Sequence, residues 1–475
     1  MTKTLKAITY ASGALIGLIV LAAIALSLFL DINAYKPRLE AAASAAAGME
    51  VSVNGRLGVG FFPGLRVTLE DVHIRNRGTE LVTASKARIG IDFLALLRQD
   101  VRIRKVVLEH PSITIERGRD GRFNYERTDA VRSPLPDLKL AKISFTDGTF
   151  RYVDRQSGKG FEAVGCSLDA NRLQLAERDR PGIMKHLSLS AEIVCGTVRT
   201  KEHAASDLKM TVAGKRGVFD IKPLTMRAYS GKGSGNLRAD FTGAVPRYHL
   251  SYTLSQFHVD AFLKPVSPKN VPEGSADLTA TLSMQGKTVK DMRQTLQGQV
   301  SLRGKSLILK GRDLDQEFDR FESSQTFNLI DVGAFFFAGP VGLAVTKGYN
   351  FASILQGSEG RSVIRTLVSD WNVERGVALS RDVAIATNKN RVALQGRLDF
   401  VNERFDDVTV ALIDDKGCIR AQQTIHGAFK KPVVENPSTL KALSGPVLRL
   451  LKQVGSLFPG GECEVFYAGS VAPPK

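Results

Sequence analysis

Apolar and polar positions along most of this chain alternate with period two, the spacing of a half-buried strand. Val67 and Leu69, then Val72 and Ile74, sit on either side of Glu70-Asp71. Ile89, Ile91 and Phe93 alternate with Gly90 and Asp92, and Val101 and Ile103, then Ile113 and Ile115, alternate with charged or polar neighbours. Tyr248, Leu250, Tyr252 and Leu254 repeat the pattern. Val392 and Leu394, Leu398 and Phe400, and Val408, Val410 and Leu412 close the series. Turn-forming groups punctuate these runs, for example Asp120-Gly121, Asp147-Gly148 and Asn388-Lys389-Asn390. Strands with one apolar side and hairpin-length links predict antiparallel pairing, and no regular strand–helix alternation points to a parallel enzyme fold. A long meander twists and curls. The expected fold is mainly β with a few helices: a long, twisted, curled antiparallel sheet whose apolar sides form an open hydrophobic groove.

A different pattern opens the chain. No charge occurs from Ala7 to Leu30, and Lys6 and Asp31 close the stretch. As a helix it reaches roughly 36 Å, more than the ~30 Å hydrocarbon core of a bilayer. Lys3 and Lys6 precede it without an acid, so the N-terminus is expected to stay cytoplasmic and the rest to lie outside. A cleaved signal peptide is the competing reading, but its apolar region is typically about 7–15 residues. A second, Ala-rich helix follows, with Asn33 as its cap, Pro37 in its first turn and Gly48 at its end. Three further helices are expected: Val289 to Leu296, Arg312 to Phe321, and a stretch capped by Ser438 that carries Leu440 to Val454 and is interrupted at Gly445-Pro446. Each is expected to pack an apolar stripe on the sheet or to plug one end of it.

Linker chemistry divides the exported part. Arg132-Ser133-Pro134-Leu135-Pro136 is one boundary, and the segment from Lys264-Pro265 to Pro272-Glu273-Gly274 is the second. The expected sections are residues 1–31 (cytoplasmic tip and membrane helix), 32–131 (stem and first β section), 132–264 (middle β section) and 265–475 (C-terminal β section with helices).

Composition changes the picture in two places. The formal net charge of +17 suits nucleic acid, an anionic membrane surface or an anionic headgroup, but the charges are scattered and no basic run is interleaved with aromatics, which disfavours nucleic acid. The four cysteines Cys166, Cys195, Cys418 and Cys463 form no CxxC and have no histidine at zinc spacing. In an exported domain their even number points to two disulfides, foremost Cys418–Cys463, with Cys166–Cys195 the other; four buried thiols is the reading for a cytosolic domain.

Catalytic signatures are missing. The seven histidines make neither HxxxH nor HExxH, no GxSxG elbow occurs, and Gly231-Lys232-Gly233-Ser234-Gly235 lacks phosphate-loop spacing and reads as a flexible hairpin turn. The adjacent pairs Asp406-Asp407 and Asp414-Asp415 would point to opposite strand faces and make poor acid/base partners. No enzyme activity, metal or cofactor is expected. One uncharged segment, Val332 to Val345, contains Phe335-Phe336-Phe337; it is read as a core insert or as a surface that touches lipid.

The order of these segments resembles the AsmA family. The matching stretches are Phe93 to Arg98, Val101 to Ile103, Val106 to Pro111, and the Asp120-Gly121-Arg122-Phe123-Asn124-Tyr125 turn; then Ile143 to Asp154, taken as a hairpin centred on Asp147-Gly148; then Leu224 to Asp240 with its Ala228-Tyr229-Ser230-Gly231 turn. The last block runs from Asn390 to Cys418 and ends at Gly461-Glu462-Cys463-Glu464. The chain looks short beside many relatives. The resemblance implies an inner-membrane protein facing the periplasm, in a family linked to outer-membrane lipid homeostasis and related to bridge-like lipid-transfer proteins. Phospholipid or another acyl lipid, the inner membrane and other envelope proteins are the implied partners. The alternative reading is an anchored interaction protein that assists outer-membrane protein assembly.

Overall fold

The computed structural model describes residues 32–60, 64–92, 103–126, 141–175, 183–264, 272–324, 360–436, 438–439 and 463–474. The expected membrane helix (7–30), the linker (132–136), the Phe335–Phe337 segment and the boundary at 265 lie outside them. The chain forms two compact units: residues 1–201 with 207–217, and residues 202–206 with 218–475.

The first unit opens with a 3-10 turn, Ile32–Tyr35, and helix α1, Lys36–Ala47. Gly48, at φ +66°, ends the helix, and its N–H reaches the Ser44 carbonyl at 2.8 Å. The strands are β1 (Glu50–Val53), β2 (Leu57–Gly60), β3 (Arg66–Asn76), β4 (Thr79–Ile91), β5 (Ile103–Glu109), β6 (Ser112–Arg117), β7 (Lys142–Asp154), β8 (Lys159–Leu175), β9 (Leu187–Thr200) and β10 (Ala204–Lys215), with a short helix α2 (Ile183–His186) before β9. Most pairings are antiparallel, but β7 lies parallel to both β5 and β6. The sheet is therefore mixed, not purely antiparallel as its alternation implied. A crossover connection between Arg117 and Lys142 makes the difference, and period-two patterning carries no information about strand direction.

Helix α1 serves the outer edge of β1 and β2. Ser44 Oγ accepts from Val51 N–H (2.8 Å), Glu40 Oε1 from Val53 N–H (2.7 Å) and Asn33 Oδ1 from Leu57 N–H (3.0 Å), while Lys36 Nζ donates to the Gly55 carbonyl (3.3 Å). Outward backbone groups that would recruit another strand are thus occupied by side chains of the same chain. Asn33, expected as a helix cap, contributes to this edge.

The second unit is an antiparallel meander. It runs β11 (Val218–Ala228), β12 (Gly231–Asp240), β13 (Arg247–His258), β14 (Ser275–Gln285), β15 (Gln297–Lys310), β16 (Arg361–Glu374), β17 (Val377–Ala386), β18 (Arg391–Asp399), β19 (Arg404–Ile413) and β20 (Ile419–Ala428), each beside the next. Two short strands, β21 (Lys431–Val434) and β22 (Ser438–Thr439), both pair with β20. Helices α3 (Val259–Leu263), α4 (Val289–Thr295) and α5 (Leu314–Ser324) interrupt it, the last two close to the expected positions. Ser438 is a strand residue opposite Gln422 rather than a helix cap, and the rest of that expected helix lies outside the described residues.

The apolar side of the second unit is filled along β15–β20, which corrects the expectation of an open groove for that part, while Leu237, Leu250, Tyr252, Leu278 and Leu282 on β12–β14 stay partly exposed. Leu314 and Phe318 of α5 are buried with Leu307, Leu309 and Trp371, and Val392, Leu398, Phe405, Val408, Val410 and Leu412 are 0% exposed. Tyr467 and Val471 cover the other side, over Ala384, Ala386, Ala393 and Ala411. The segment is pinned by Tyr467 Oη donating to Asp382 (2.5 Å), Ser470 N–H to Asp382 (3.0 Å), Arg391 to the Val471 carbonyl (2.9 Å) and the Cys418–Cys463 disulfide. Burial pushes the Asp382 carboxyl up, but the bonds from Ser470 and Tyr467 outweigh it and hold the group below the ordinary carboxylate value.

Two expected turns are strand interior. Ile143 to Asp154 is one strand, with Asp147 at φ +51° in a bulge that shifts the register to β8. Gly231 to Gly235 begins β12; the turn is Tyr229-Ser230, both with positive φ. Gly233 and Gly235 admit the Tyr252 ring from β13, which a Cβ at either position would strike.

Candidate functional site

The apolar side of the first unit is the candidate site, and its composition follows from the strand register. Ile89, Val106, Ile143, Ala170 and Ala191 stand opposite one another across β4, β5, β7, β8 and β9. A parallel row holds Ala87, Leu108, Phe145, Leu168 and Ile193. Further along, Val82, Ile113, Phe150, Ala163 and Val198 form a third row, and Ile115, Tyr152 and Phe161 begin a fourth.

These rows share one face because strands are interrupted between them, as at His110 between β5 and β6, at Asp147 in β7 and at Gly165 in β8. Phe145 and Phe150 are an odd number of residues apart and would point to opposite faces of a regular strand. The extra residue at the Asp147 bulge restores the phase. Asp71 (φ +54°) in β3, His110 (φ +45°) between β5 and β6, and Gly165 (φ +64°) in β8 stand at the corresponding breaks of their strands. Pro111, Gly148 and the Cys166–Cys195 pair occupy the inward positions beside the breaks, so small groups lie between the large rows. A side chain at Gly148 would press on Pro111 and Phe145, at 3.0 and 3.1 Å from its Cβ.

Cys166 and Cys195 face each other in register on β8 and β9 and are joined by a disulfide with an S–S distance of 2.13 Å and Cα atoms 4.0 Å apart. Phe145, Phe150, Ile193, Val198 and Leu208 pack around it.

The large residues of these rows are neither buried nor free. Val106, Leu108, Ile113, Ile143, Phe145, Phe150 and Ile193 are all partly exposed, and Phe161 is 37% exposed. They stand in contrast to the filled side of β15–β20 in the second unit. A sheet face of this extent that keeps large apolar groups in partial contact with water is unusual unless something apolar lies on it.

The opposite face is ionic. Ion pairs join Arg88 to Glu109 (2.6 Å), Lys142 to Asp169 (2.6 Å), Arg151 to Glu162 (2.6 Å) and Lys86 to Glu70 (3.5 Å), and Arg199 also engages Glu162. At the breaks the polar residues join up: Ser85 Oγ donates to the Glu109 carbonyl (2.9 Å), and His110 lies 3.6 Å from Asp147. His73 bridges Glu80 (2.8 Å) and Asp71 (3.0 Å); the bond to Glu80 raises its pKa against a smaller desolvation effect.

The Asp120–Tyr125 turn is a structural clamp at one end of this face. Asn124 is 5% exposed; its Oδ1 accepts from Glu116 N–H (2.9 Å) and its Nδ2 donates to the Thr114 carbonyl (2.8 Å). Asn76 Nδ2 donates in turn to the Asn124 carbonyl (2.7 Å). Asp120 caps Arg122 N–H and Gly121 adopts φ +81°, so each distinctive residue of the turn has a backbone task. Phe123 and Tyr125 stack at 5.0 Å.

Among the described residues no group of three or more His, Cys, Asp or Glu is placed to hold a metal ion. Of the site residues expected from sequence, Cys166, Cys195, Cys418 and Cys463 are described and bonded in the two pairs stated; Phe335, Phe336 and Phe337 lie outside the described residues. The rows of the first unit were not singled out from sequence. The signal was present as odd spacings between apolar residues on either side of Asp71, His110 and Asp147.

No curated protein and no solved structure matches the chain. A protein-family model for the AsmA family matches residues 1–175 and 167–328. With two thirds of its length covered by that match, the chain belongs to the AsmA family.

Proposed function

We propose that the apolar face of the first unit receives the acyl chains of phospholipid or a similar lipid, in a protein anchored in the inner membrane by residues 7–30 and facing the periplasm. Its role in this reading is to bind or pass lipid in support of outer-membrane lipid homeostasis, without catalysis. The observation that carries it is the set of aligned rows of half-exposed Val, Ile, Leu and Phe backed by an ion-paired face. An acyl chain in water costs ~0.8 kcal/mol per methylene, so a tail of ~15 methylenes meets a barrier on the order of 12 kcal/mol. A sheet face that covers one side of the tail along its length removes a large share of that barrier, while the headgroup stays wet. Contacts of this kind are spread over many side chains and need no reactive group. The uncharged stretch 7–30 and the family membership support the envelope location. The ionic opposite face supports a one-sided trough, since a lipid there would have to break cross-strand ion pairs.

The test compares the full-length protein, purified in mild detergent, with a Leu108→Asp/Phe145→Asp variant by counting bound phospholipid per chain. The variant is expected to carry fewer lipids at equal folding, because lipids around the anchor are common to both. Equal counts would remove the proposal.

A further inference from the structure

We propose that the second unit carries a separate site for a phosphate monoester, in a cleft of about 540 Å³ lined by Arg238, Arg247 and Arg375. The floor is set by register: Arg238 stands opposite His249, His249 opposite Ser283, and Arg247 opposite Gln285. His249 Nδ1 and Ser283 Oγ are 2.8 Å apart. One wall is helix α4, fixed by a capping box at Thr288 and Asp291 and by Gln285 N–H donating to Thr295 Oγ1 at 2.9 Å. The other wall is the turn between β16 and β17. There Gly376 N–H donates to the Leu296 carbonyl (2.8 Å), and a Cβ on Gly376 would strike the Arg293 carbonyl, so the turn is seated on the end of α4 and holds Arg375 at the cleft.

Two carboxylates already engage this cluster, each on one guanidinium. Asp240 accepts from Arg247 Nη2 (2.9 Å), and Asp220, outside the cleft, accepts from Arg238 Nη1. Each guanidinium carries five N–H donors, so both forks retain donors. Arg375 makes no ion pair among the described residues. Three guanidiniums in one lining favour a phosphate monoester, with up to two negative charges and three acceptor oxygens, over a singly charged carboxylate with two. The volume exceeds what the phosphate itself needs and lies in the range of small-molecule sites. The remaining polar lining, Ser283 and Gln294 among it, suits the hydroxyl groups of a sugar or glycerol ester. The cleft belongs to the second unit, so this site stands apart from the apolar rows of the first. The ligand is either a free phosphate ester or the headgroup of a lipid that carries one.

The experiment uses the full-length protein in phosphatidylcholine nanodiscs. Labelled glucose 6-phosphate is dialysed to equilibrium against it, with labelled glucose as the uncharged control. In parallel, the protein's attachment to phosphatidylcholine vesicles with and without phosphatidic acid is measured. Saturable binding is expected in at least one arm, weakened about tenfold or more by Arg375→Ala and unchanged by Arg381→Ala, which removes an exposed charge elsewhere. Binding of the soluble ester identifies a free ligand; binding to phosphatidic acid alone identifies a headgroup. Absence of saturable binding in both arms, or equal weakening by the two substitutions, would overturn the proposal.

Discussion

Substituting isoleucine by alanine at two matched positions separates an open sheet face from a filled one. Ile385 in β17 is 0% exposed and stands between Leu367 and Val392. Ile143 in β7 stands between Val106 and Ala170 and is only partly buried. Each substitution removes three carbons, worth about 2.4 kcal/mol of transfer free energy when fully buried. At Ile385 the surrounding side chains cannot follow, so a cavity cost adds and the total is about 3–4 kcal/mol. At Ile143 roughly half of the transfer term applies and solvent reaches the vacated space, which gives about 1 kcal/mol. Hydrogen exchange followed by mass spectrometry reads each unit separately, through peptides covering 142–154 and 377–386. The protecting free energy is expected to fall about 2–3 kcal/mol more at Ile385→Ala than at Ile143→Ala. Equal losses would mean that the face of the first unit is packed shut, and the reasoning for a lipid trough would fail.

Three further outcomes follow from the side-chain clamps. Glu40→Ala removes the carboxylate that serves Val53 N–H and is expected to cost about 1–2 kcal/mol and to expose a strand edge; sedimentation velocity should show stronger concentration-dependent self-association than in the parent protein. Asn124→Ala leaves two backbone groups of β6 without their partner and is expected to cost about 2–4 kcal/mol of stability, read as a lower thermal midpoint, whereas Tyr125→Ala at its exposed position should cost far less; similar losses would refute the assigned backbone role. Asp382 has a folded value below its unfolded value of ~3.9, so its contribution is present above that pH and lost as pH falls through the folded value. The protection factor of residues 466–474, with exchange corrected for its intrinsic pH dependence, should therefore fall below about pH 4, and Asp382→Asn should lower it in the same way at neutral pH; a protection factor that does not change with pH would contradict the pinning assigned to Asp382.

The strand content was legible because alternation is a local property. Runs such as Tyr248 to Leu254 and Val408 to Leu412 read as strands and are strands. Direction was not legible, since nothing in Ile143 to Asp154 distinguishes a parallel neighbour from an antiparallel one. Asp147-Gly148 resembled a hairpin turn because bulges and turns use the same residues: both need a backbone with positive φ, which Asp and Gly supply. Gly231 to Gly235 misled for a related reason. Glycine there makes room for the Tyr252 ring from the neighbouring strand, a requirement of tertiary packing that local sequence does not state. Burial of β16–β19 on both sides was hidden as well. Val392, Ala393 and Leu394 form an uninterrupted apolar run, but the helix and the C-terminal segment that cover it come from residues 314–324 and 463–474. An apolar sheet face was foreseen as a type of surface along the whole exported sheet, but the rows through Phe145 and Phe150 were not singled out within it; Phe335–Phe337 lie outside the described residues.

Crosslinking from neighbouring positions on one strand tests the central claim most directly. A photoactivatable side chain is placed in living cells at Leu108 or Phe145 on the apolar face, and at Glu109 or Ser144 on the ionic face next to them. Lipid adducts identified by mass spectrometry are expected from the first pair and absent from the second. Equal labelling of both pairs, or adducts to protein alone from Leu108 and Phe145, would contradict a lipid-bearing face.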